Sequence, residues 1–270
     1  MLATSPTYII TWEKLPDDFV LPDHPVDNIN QPAIAAALTE SLQLAEKLPA
    51  TALTPTNYGI CATIDGKLAV KAPDWAYIPK ITVDRSLVER SYTPRLQGEI
   101  PTLVLEFLSE TEGGEYSVKE TYPPGKFFYY EKILQVPNYG IFDPKSGSLE
   151  LYRLRNQKQY RLESPNEQDR FWIPEMQLFL GTWQGTRENR QGYWLRWWDE
   201  RGNLLLWGTE RVEAERQRAE AERQRAETER QQAETERQRA EAERQRAETE
   251  RQRAERLAAQ LRAAGLEPED

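Results

Sequence analysis

The sequence predicts an α/β or α+β fold, with a mixed sheet flanked by helices and followed by a long charged C-terminal helix. The first observation behind this prediction is the order of patterns in residues 1–208, which runs helix, strands, helix, strand, strand. The second is an abrupt change of composition near residue 209, after which charged residues repeat with a period of seven. We therefore expect a globular domain at 1–208, a charged heptad-repeat helix at 209–264 and a short tail at 265–270.

The globular domain is predicted to begin with a helix that precedes a hairpin. Residues 30–48 have a helical pattern, with Asn30 as the expected N-cap. Two β-forming segments then flank Asp65-Gly66, a dipeptide that favours a two-residue hairpin turn. Residues 73–79 are predicted as a further strand.

The middle of the domain is predicted to form a strand, a helix and two strands. Residues 101–110 read PTLVLEFLSE, and this apolar run is typical of a strand that is buried on both faces. Residues 123–136 are predicted as a helix opened by two prolines. The segments NYGIFDP and LELYRLRN are predicted as two strands joined by a turn.

The end of the domain is rich in tryptophan. Residues 192–208, GYWLRWWDERGNLLLWG, are predicted as a hairpin with an irregular core. Trp194, Trp197 and Trp198 could stack on nucleic-acid bases. Packing against a sheet face is the favoured interpretation, because the segment has the pattern of a hairpin.

The charged repeat is predicted to be a solvated helix or a weak coiled coil. Oppositely charged residues recur at helical spacing, as in the pairs Glu220–Arg223 and Arg218–Glu222. The small residues of the repeat form two columns of Ala and Thr, spaced two and five residues apart. A coiled-coil seam needs larger apolar residues at spacings of three and four. The sequence therefore leaves open whether this helix mediates self-association.

Composition limits the functional classes. The chain has 270 residues, a formal net charge of −9 and a single cysteine, Cys61, so no intrachain disulfide can form and a cytoplasmic setting is expected. No signal-peptide pattern opens the sequence and no apolar stretch is long enough to cross a membrane. The negative charge argues against a broadly basic nucleic-acid surface, so such a partner would require a local basic patch or metal ions.

One constellation points to chemistry. Glu106 interrupts the apolar strand, where a carboxylate is costly to bury without a cation, a metal or access to water. Asp74, at the start of an earlier strand, is expected beside Glu106 in the sheet, and Lys126 in the first turn of the next helix can reach the same edge. Two converging carboxylates suit Mg²⁺, or Mn²⁺, and a lysine can steady transition-state charge. A purely structural ion pair of Glu106 with Lys71 or Lys126 is the alternative.

The ordered set APDWAYIP, PTLVLEFLSE, GKFFYYEKILQVPNYGIFDP and LELYRL resembles the Uma-two family of restriction-endonuclease-like proteins, within the PD-(D/E)XK nuclease superfamily. The resemblance covers residues 8–205. It implies a restriction-endonuclease-like mixed sheet with metal-binding carboxylates at its edge, and Mg²⁺-dependent cleavage of DNA. In this resemblance, Pro73-Asp74 matches the first acidic motif and Glu106 the second.

The chain departs from the superfamily pattern at the lysine. Leu108 stands two residues after Glu106, where the superfamily has a lysine. The family instead implies a lysine from the following helix, which corresponds to Lys126, four residues before Tyr130. Lys119 in the preceding loop is the competing candidate.

Many relatives have a further acidic residue on or near the first helix. Asp27, before the predicted helix, and Glu40, within it, are both candidates for that position. His24 is the single histidine, so a histidine-based triad or a histidine-rich metal site is excluded, and a loop position is expected for it.

Three functional hypotheses follow. The favoured one is a Mg²⁺-dependent DNA endonuclease in which Asp74 and Glu106 hold the metal and Lys126 assists the attacking water. The main alternative is a non-catalytic binding or assembly module that keeps the nuclease fold and self-associates through its C-terminal helix. A third is a metal-dependent hydrolase that acts on RNA or a nucleotide.

Overall fold

The computed structural model describes residues 8–16, 19, 29–109, 114–156 and 158–264. The chain divides into two compact units, Met1–Gly208 and Thr209–Asp270. Among the described residues, no helix has the length and apolar character that crossing a membrane requires.

The first unit is an α+β structure, as predicted. Its strands, in chain order, are β1 (Ile10–Thr11), β2 (Gly59–Ile64), β3 (Lys67–Lys71), β4 (Trp75–Tyr77), β5 (Ser91–Tyr92), β6 (Leu103–Phe107), β7 (Asn138–Phe142), β8 (Leu149–Arg155), β9 (Gln159–Leu162), β10 (Arg170–Ile173), β11 (Leu178–Arg187) and β12 (Arg190–Trp198). The helices of the chain are α1 (Asn30–Leu44), α2 (Lys126–Phe128), a π-helical continuation of α2 (Tyr129–Leu134) and α3 (Gly208–Ala263), with short 3-10 turns at Arg85–Val88 and Gly114–Tyr116. We refer to α2 and its continuation together as the 126–134 helix.

The central sheet is mixed and has the strand order β4-β6-β7-β8-β9. Strands β6 and β7 are parallel, while β4 pairs with β6, β7 with β8 and β8 with β9 in the antiparallel sense. Parallel neighbours need a crossover connection, and the 126–134 helix lies in the segment that joins β6 to β7. A second sheet contains β1, β2, β3 and β5, and a third has the order β10-β11-β12.

Two hydrophobic cores cover the two faces of the central sheet. On β6, Leu103, Leu105 and Phe107 belong to a core that includes α1 and the third sheet. Val104, between them, belongs to a second core that includes the β2–β3 hairpin and the 126–134 helix. Successive side chains on a strand point to opposite faces, so each face of β6 serves one core.

The Asp65-Gly66 hairpin prediction is confirmed. Strands β2 and β3 pair antiparallel, with Ile64 opposite Lys67, so that the turn contains only these two residues. Asp65 has φ 48° and Gly66 has φ 75°, which is the left-handed pair that a type I′ turn requires.

The first helix is shorter than predicted, and its capping differs. It ends at Leu44 rather than at residue 48, because the Lys47 amide donates to the Leu42 carbonyl while Glu46 adopts φ 57°. This is a Schellman motif without its usual glycine, so the sequence carried no stop signal. Asn30 is the first helical residue and not the N-cap, which is Ile29.

The second helix begins at Lys126 and not at its prolines. Gly125 is extended, with φ −68° and ψ 157°, and its amide donates to the Lys119 carbonyl. A Cβ at residue 125 would lie 2.1 Å from the Ser117 carbonyl oxygen, so this close approach requires glycine. The loop thus holds the prolines outside the helix, and the helix ends at Leu134, before Gln135 with φ 59°.

The tryptophan-rich end pairs differently from the prediction. Strand β12 forms its long hairpin with β11, which the sequence pattern did not reveal. The predicted return strand is reduced to a single bridge between Trp198 and Leu204. The core interpretation is confirmed, because Trp194, Trp197 and Trp198 are all buried. The Trp197 indole also donates to the Leu38 carbonyl of α1.

Helix α3 forms the second unit from residue 209 onward. None of its residues is buried. Within it, ion pairs at helical spacing, such as Arg211–Glu215 and Arg251–Glu248, support the single helix.

Candidate active site

Asp74 and Glu106 lie on the same face of the central sheet. In the antiparallel pairing of β4 with β6, Trp75 is opposite Leu105, which places Asp74 opposite Glu106 by continuation of the register. Trp75 and Leu105 belong to the core that includes α1. The alternation of strand side chains therefore directs both carboxylates to the other face, where the 126–134 helix packs.

Glu106 is fully buried, and both its carboxylate oxygens are engaged. Lys126 Nζ lies 2.9 Å from Glu106 Oε2, and the Tyr130 hydroxyl donates to Oε1 at 3.0 Å. Lys126 and Tyr130 are four residues apart, so they project from one side of their helix. The expected return of this helix to the sheet edge therefore occurs, and it is Lys126 that reaches Glu106.

Asp74 is held by the backbone of β6. Its Oδ2 accepts a hydrogen bond from the Phe107 amide, and the Phe107 carbonyl accepts one from Gln31 Nε2 at 3.1 Å. The backbone of Phe107 is thus held at its N–H by Asp74 and at its C=O by Gln31, in the first turn of α1. Sequence analysis did not identify Gln31, because a single polar residue at a helix start carries no local signal of such a contact.

A third carboxylate, that of Glu115, lies beside Lys126. Glu115 Oε1 is 3.3 Å from Lys126 Nζ, and the Glu115 backbone carbonyl accepts a hydrogen bond from the Tyr139 hydroxyl at 2.9 Å. Sequence analysis did not identify Glu115, which lies in the loop after β6 in no recognisable motif. Lys126 is thus shared between Glu106 and Glu115.

The two central carboxylates resist ionisation. Burial raises the pKa of Glu106 to about 8, although the Lys126 ammonium and the Tyr130 hydroxyl oppose that rise and Asp74 adds to it. Burial likewise raises the pKa of Asp74, against the hydrogen bond from Phe107 and the charge of Lys126. A divalent cation would offset both penalties, because it favours the charged form of each carboxylate.

Lys126 remains charged. Burial by itself would lower its pKa, but the carboxylates of Glu106, Glu115 and Asp74 outweigh that effect and raise the pKa above its ordinary value. Its side chain is 28% exposed, so the ammonium borders solvent while it contacts the buried Glu106.

The donor set fits a magnesium ion with few protein ligands. Among the described residues, no three Asp, Glu, His or Cys side chains form a group that could hold a metal ion. Mg²⁺ often binds to one or two carboxylates, with water and substrate phosphate completing its shell. Asp74 and Glu106 match that requirement in number and chemistry. A metal ion bound there would share Glu106 Oε2 with the Lys126 ammonium.

Within the described residues, neither Glu40 nor Lys119 forms a hydrogen bond or ion pair with Asp74 or Glu106. Glu40 forms an ion pair with Arg187 at 2.7 Å and accepts a hydrogen bond from the Gly208 amide at 3.0 Å, so it serves the packing of α1. Lys119 is exposed, and its backbone carbonyl, not its ammonium, has the hydrogen bond described above. Asp27 and His24 lie outside the described residues.

Comparison with known proteins relates the chain to one family. The family model described as "Uma2: Putative restriction endonuclease" matches residues 18–186. Among solved structures, the chain is similar to "a putative nuclease belonging to DUF820 from Anabaena variabilis ATCC 29413", at 15% identity, with 56% of this chain and 76% of that chain covered and a TM-score of 0.35. No curated protein matches the chain.

Proposed function

Since the chain belongs to the Uma2 family, we propose that it is a Mg²⁺-dependent endonuclease that hydrolyses phosphodiester bonds in DNA. The observation that carries the proposal is the contact of Lys126 with the buried Glu106, opposite Asp74 in the sheet. Titratable groups with shifted pKa values that converge at one sheet edge are typical of catalytic sites.

Asp74 and Glu106 would hold the metal ion. When bound, Mg²⁺ polarises a phosphoryl oxygen and lowers the pKa of a coordinated water. The Phe107 amide orients Asp74 and the Tyr130 hydroxyl orients Glu106, so both carboxylates are held in position before a metal binds.

Lys126 supplies positive charge and not a base. Its raised pKa keeps the amine protonated at neutral pH, so it cannot accept a proton from water. It can donate a hydrogen bond to the attacking water and stabilise the negative charge that develops on the phosphoryl oxygens. Glu106 and Glu115 hold the ammonium in place for this role.

The proposal is tested by incubating the protein with supercoiled plasmid and Mg²⁺ or Mn²⁺. Wild-type protein should convert the plasmid to open-circular or linear forms, whereas Asp74→Ala and Glu106→Ala should not. Glu89→Ala removes an exposed carboxylate away from the site and should cleave like the wild type. A folded Glu106→Ala protein with full cleavage would overturn the proposal.

A non-catalytic module with the same fold is the second candidate. It is favoured by the Lys126 ammonium, which occupies the Glu106 oxygen that a metal would need. Calorimetric titration with Mg²⁺ separates the two functions, because a scaffold would show neither metal binding nor cleavage. Self-association through α3 and a cytoplasmic setting, which suits the single thiol of Cys61, are further parts of the proposal.

A further inference from the structure

Three lysines lie on segments that meet beside the carboxylate pair. Lys71 ends β3, Lys119 lies in the loop before the second helix, and Lys126 begins that helix. The charges of Lys126, Glu106 and Lys119 all act on the Lys71 ammonium. The three lysines lie among the carboxylates of Asp74, Glu106 and Glu115, in a chain whose net charge is −9.

Hydrogen bonds hold the three segments together. The Tyr129 hydroxyl lies 2.9 Å from the Ile60 carbonyl and 3.3 Å from the Ala69 carbonyl, which fixes the 126–134 helix on the β2–β3 hairpin. The Gly125 amide donates to the Lys119 carbonyl at 2.8 Å, which fixes the loop at the start of that helix. The proximity of the three segments is therefore built into the fold.

Lys71 differs from Lys126 in what neutralises it. Lys126 forms ion pairs with Glu106 and Glu115. Lys71 is half-buried, and within the described part of the chain its ammonium has no hydrogen bond or ion pair. Burial lowers the pKa of Lys71, the charges of Lys126 and Lys119 lower it further, and Glu106 opposes them.

A half-buried ammonium without an ion pair is unfavourable in the free protein, and a bound anion would supply the missing counter-charge. The anion would also lie close to the carboxylates, because Asp74 follows Lys71 by three residues. We propose that Lys71, assisted by Lys119, binds a phosphate group of the nucleic-acid substrate next to the Asp74–Glu106 pair. This inference rests on the proposed function and extends it to substrate binding.

The inference also accounts for the acidity of the protein. Nucleic-acid affinity depends on contacts between basic side chains and phosphates. A chain of net negative charge can bind DNA where such side chains are concentrated and where metal ions mask the carboxylates. Lys71 and Lys119 provide such side chains at the site, next to the Lys126 ammonium that Glu106 and Glu115 pair.

The test measures binding of a fluorescein-labelled 16-base-pair DNA duplex, with Ca²⁺ in place of Mg²⁺, at several salt concentrations. Lys71→Met should raise Kd about tenfold or more, since it removes a charge-assisted hydrogen bond. It should also reduce the slope of log K against log salt by about 0.9, the contribution of one phosphate contact. Lys71→Arg should restore both values. Lys119→Met, at an exposed position, should show a smaller effect in the same direction.

Lys47→Met is the matched control, because Lys47 is exposed and follows α1, which packs on the opposite face of the sheet. It should bind the duplex like the wild type. The inference is overturned if Lys71→Met keeps the wild-type Kd and salt slope, if Lys47→Met loses as much affinity, or if the wild type does not bind the duplex.

The two proposals fail separately. Lys71-dependent binding by a protein that never cleaves DNA in Mg²⁺ would support the phosphate site and refute the nuclease. The opposite result is loss of cleavage in Glu106→Ala together with an unchanged Kd for the duplex in Lys71→Met. That result would support the nuclease and refute the phosphate site.

Discussion

Lys126 Nζ lies 2.9 Å from Oε2 of the fully buried Glu106, and this contact connects the second helix to strand β6 of the central sheet. The superfamily pattern has a lysine two residues after the glutamate, where Leu108 stands in this chain, and we propose that Lys126 serves in its place. A lysine carried by a neighbouring element can deliver its ammonium to the same carboxylate.

The first prediction concerns Lys126. Lys126→Met should reduce kcat for DNA cleavage at least about 10²-fold, because the variant loses the charge that stabilises the transition state. Metal binding by calorimetry should persist, since Asp74 and Glu106 remain. Lys132→Met, on the same helix but paired with Glu131, is the control and should retain wild-type kcat. If Lys119→Met abolishes kcat and Lys126→Met does not, the assignment of the lysine is wrong.

The second prediction concerns the pH dependence of stability. The pKa of Glu106 rises from 4.5 to about 8 on folding, so the folded protein binds more protons than the unfolded chain between these values. The stabilisation is complete below pH 4.5 and is lost as the pH rises through about 8.

Glu106→Gln mimics the protonated carboxyl and should lack this loss. From pH 5 to pH 8, the free energy of unfolding of the wild type should therefore fall relative to the variant, by at most about 1.4 kcal/mol per pH unit. Urea unfolding at several pH values without metal measures this difference. Parallel curves for the two proteins would contradict a raised pKa of Glu106.

The third prediction concerns Tyr130. Tyr130→Phe removes the hydrogen bond to Glu106 Oε1, which favours the charged carboxylate. The pKa of Glu106 should therefore rise further, and the pH profile of cleavage should shift to higher pH. The free energy of unfolding should fall by about 1–2 kcal/mol.

Tyr160→Phe is a matched control for Tyr130→Phe. The Tyr160 hydroxyl donates to the Val136 carbonyl at 2.9 Å and has no hydrogen bond with Glu106. Its loss should lower stability to a similar degree and leave the pH profile of cleavage unchanged. Equal shifts of the profile in the two variants would mean that the effect arises from general loosening of the core.

The fourth prediction concerns helix α3. No residue of this 56-residue helix is buried within the single chain. Its repeat places Ala and Thr in two columns. If the helix mediates self-association, the full chain should sediment with a multiple of the monomer mass of 31.4 kDa. A chain that ends at Gly208 should sediment as a monomer. An unchanged association state after truncation would reject this role of α3.

Local sequence signals predicted the elements whose causes are local. The Asp65-Gly66 turn formed as expected, because the left-handed conformations of a type I′ turn depend on those two residues alone. The strand that contains Glu106 was recognisable from its apolar run, and the polar interruption marked the position that needed a partner. The end of α1 at Leu44 was not recognisable, because its Schellman motif uses Glu46 and not glycine.

The sequence by itself determined the α+β class, the charged helix after residue 208 and the residue types needed for a metal site, because periodicity, turn chemistry and composition are properties of neighbouring residues. The tertiary structure decided which of those residues meet. It joined Lys126 to Glu106, added Glu115, and brought the segments that contain Lys71 and Lys119 to the second helix. These contacts depend on strand register and on how the helix docks on the sheet, and both are set by packing between segments that are distant in the chain.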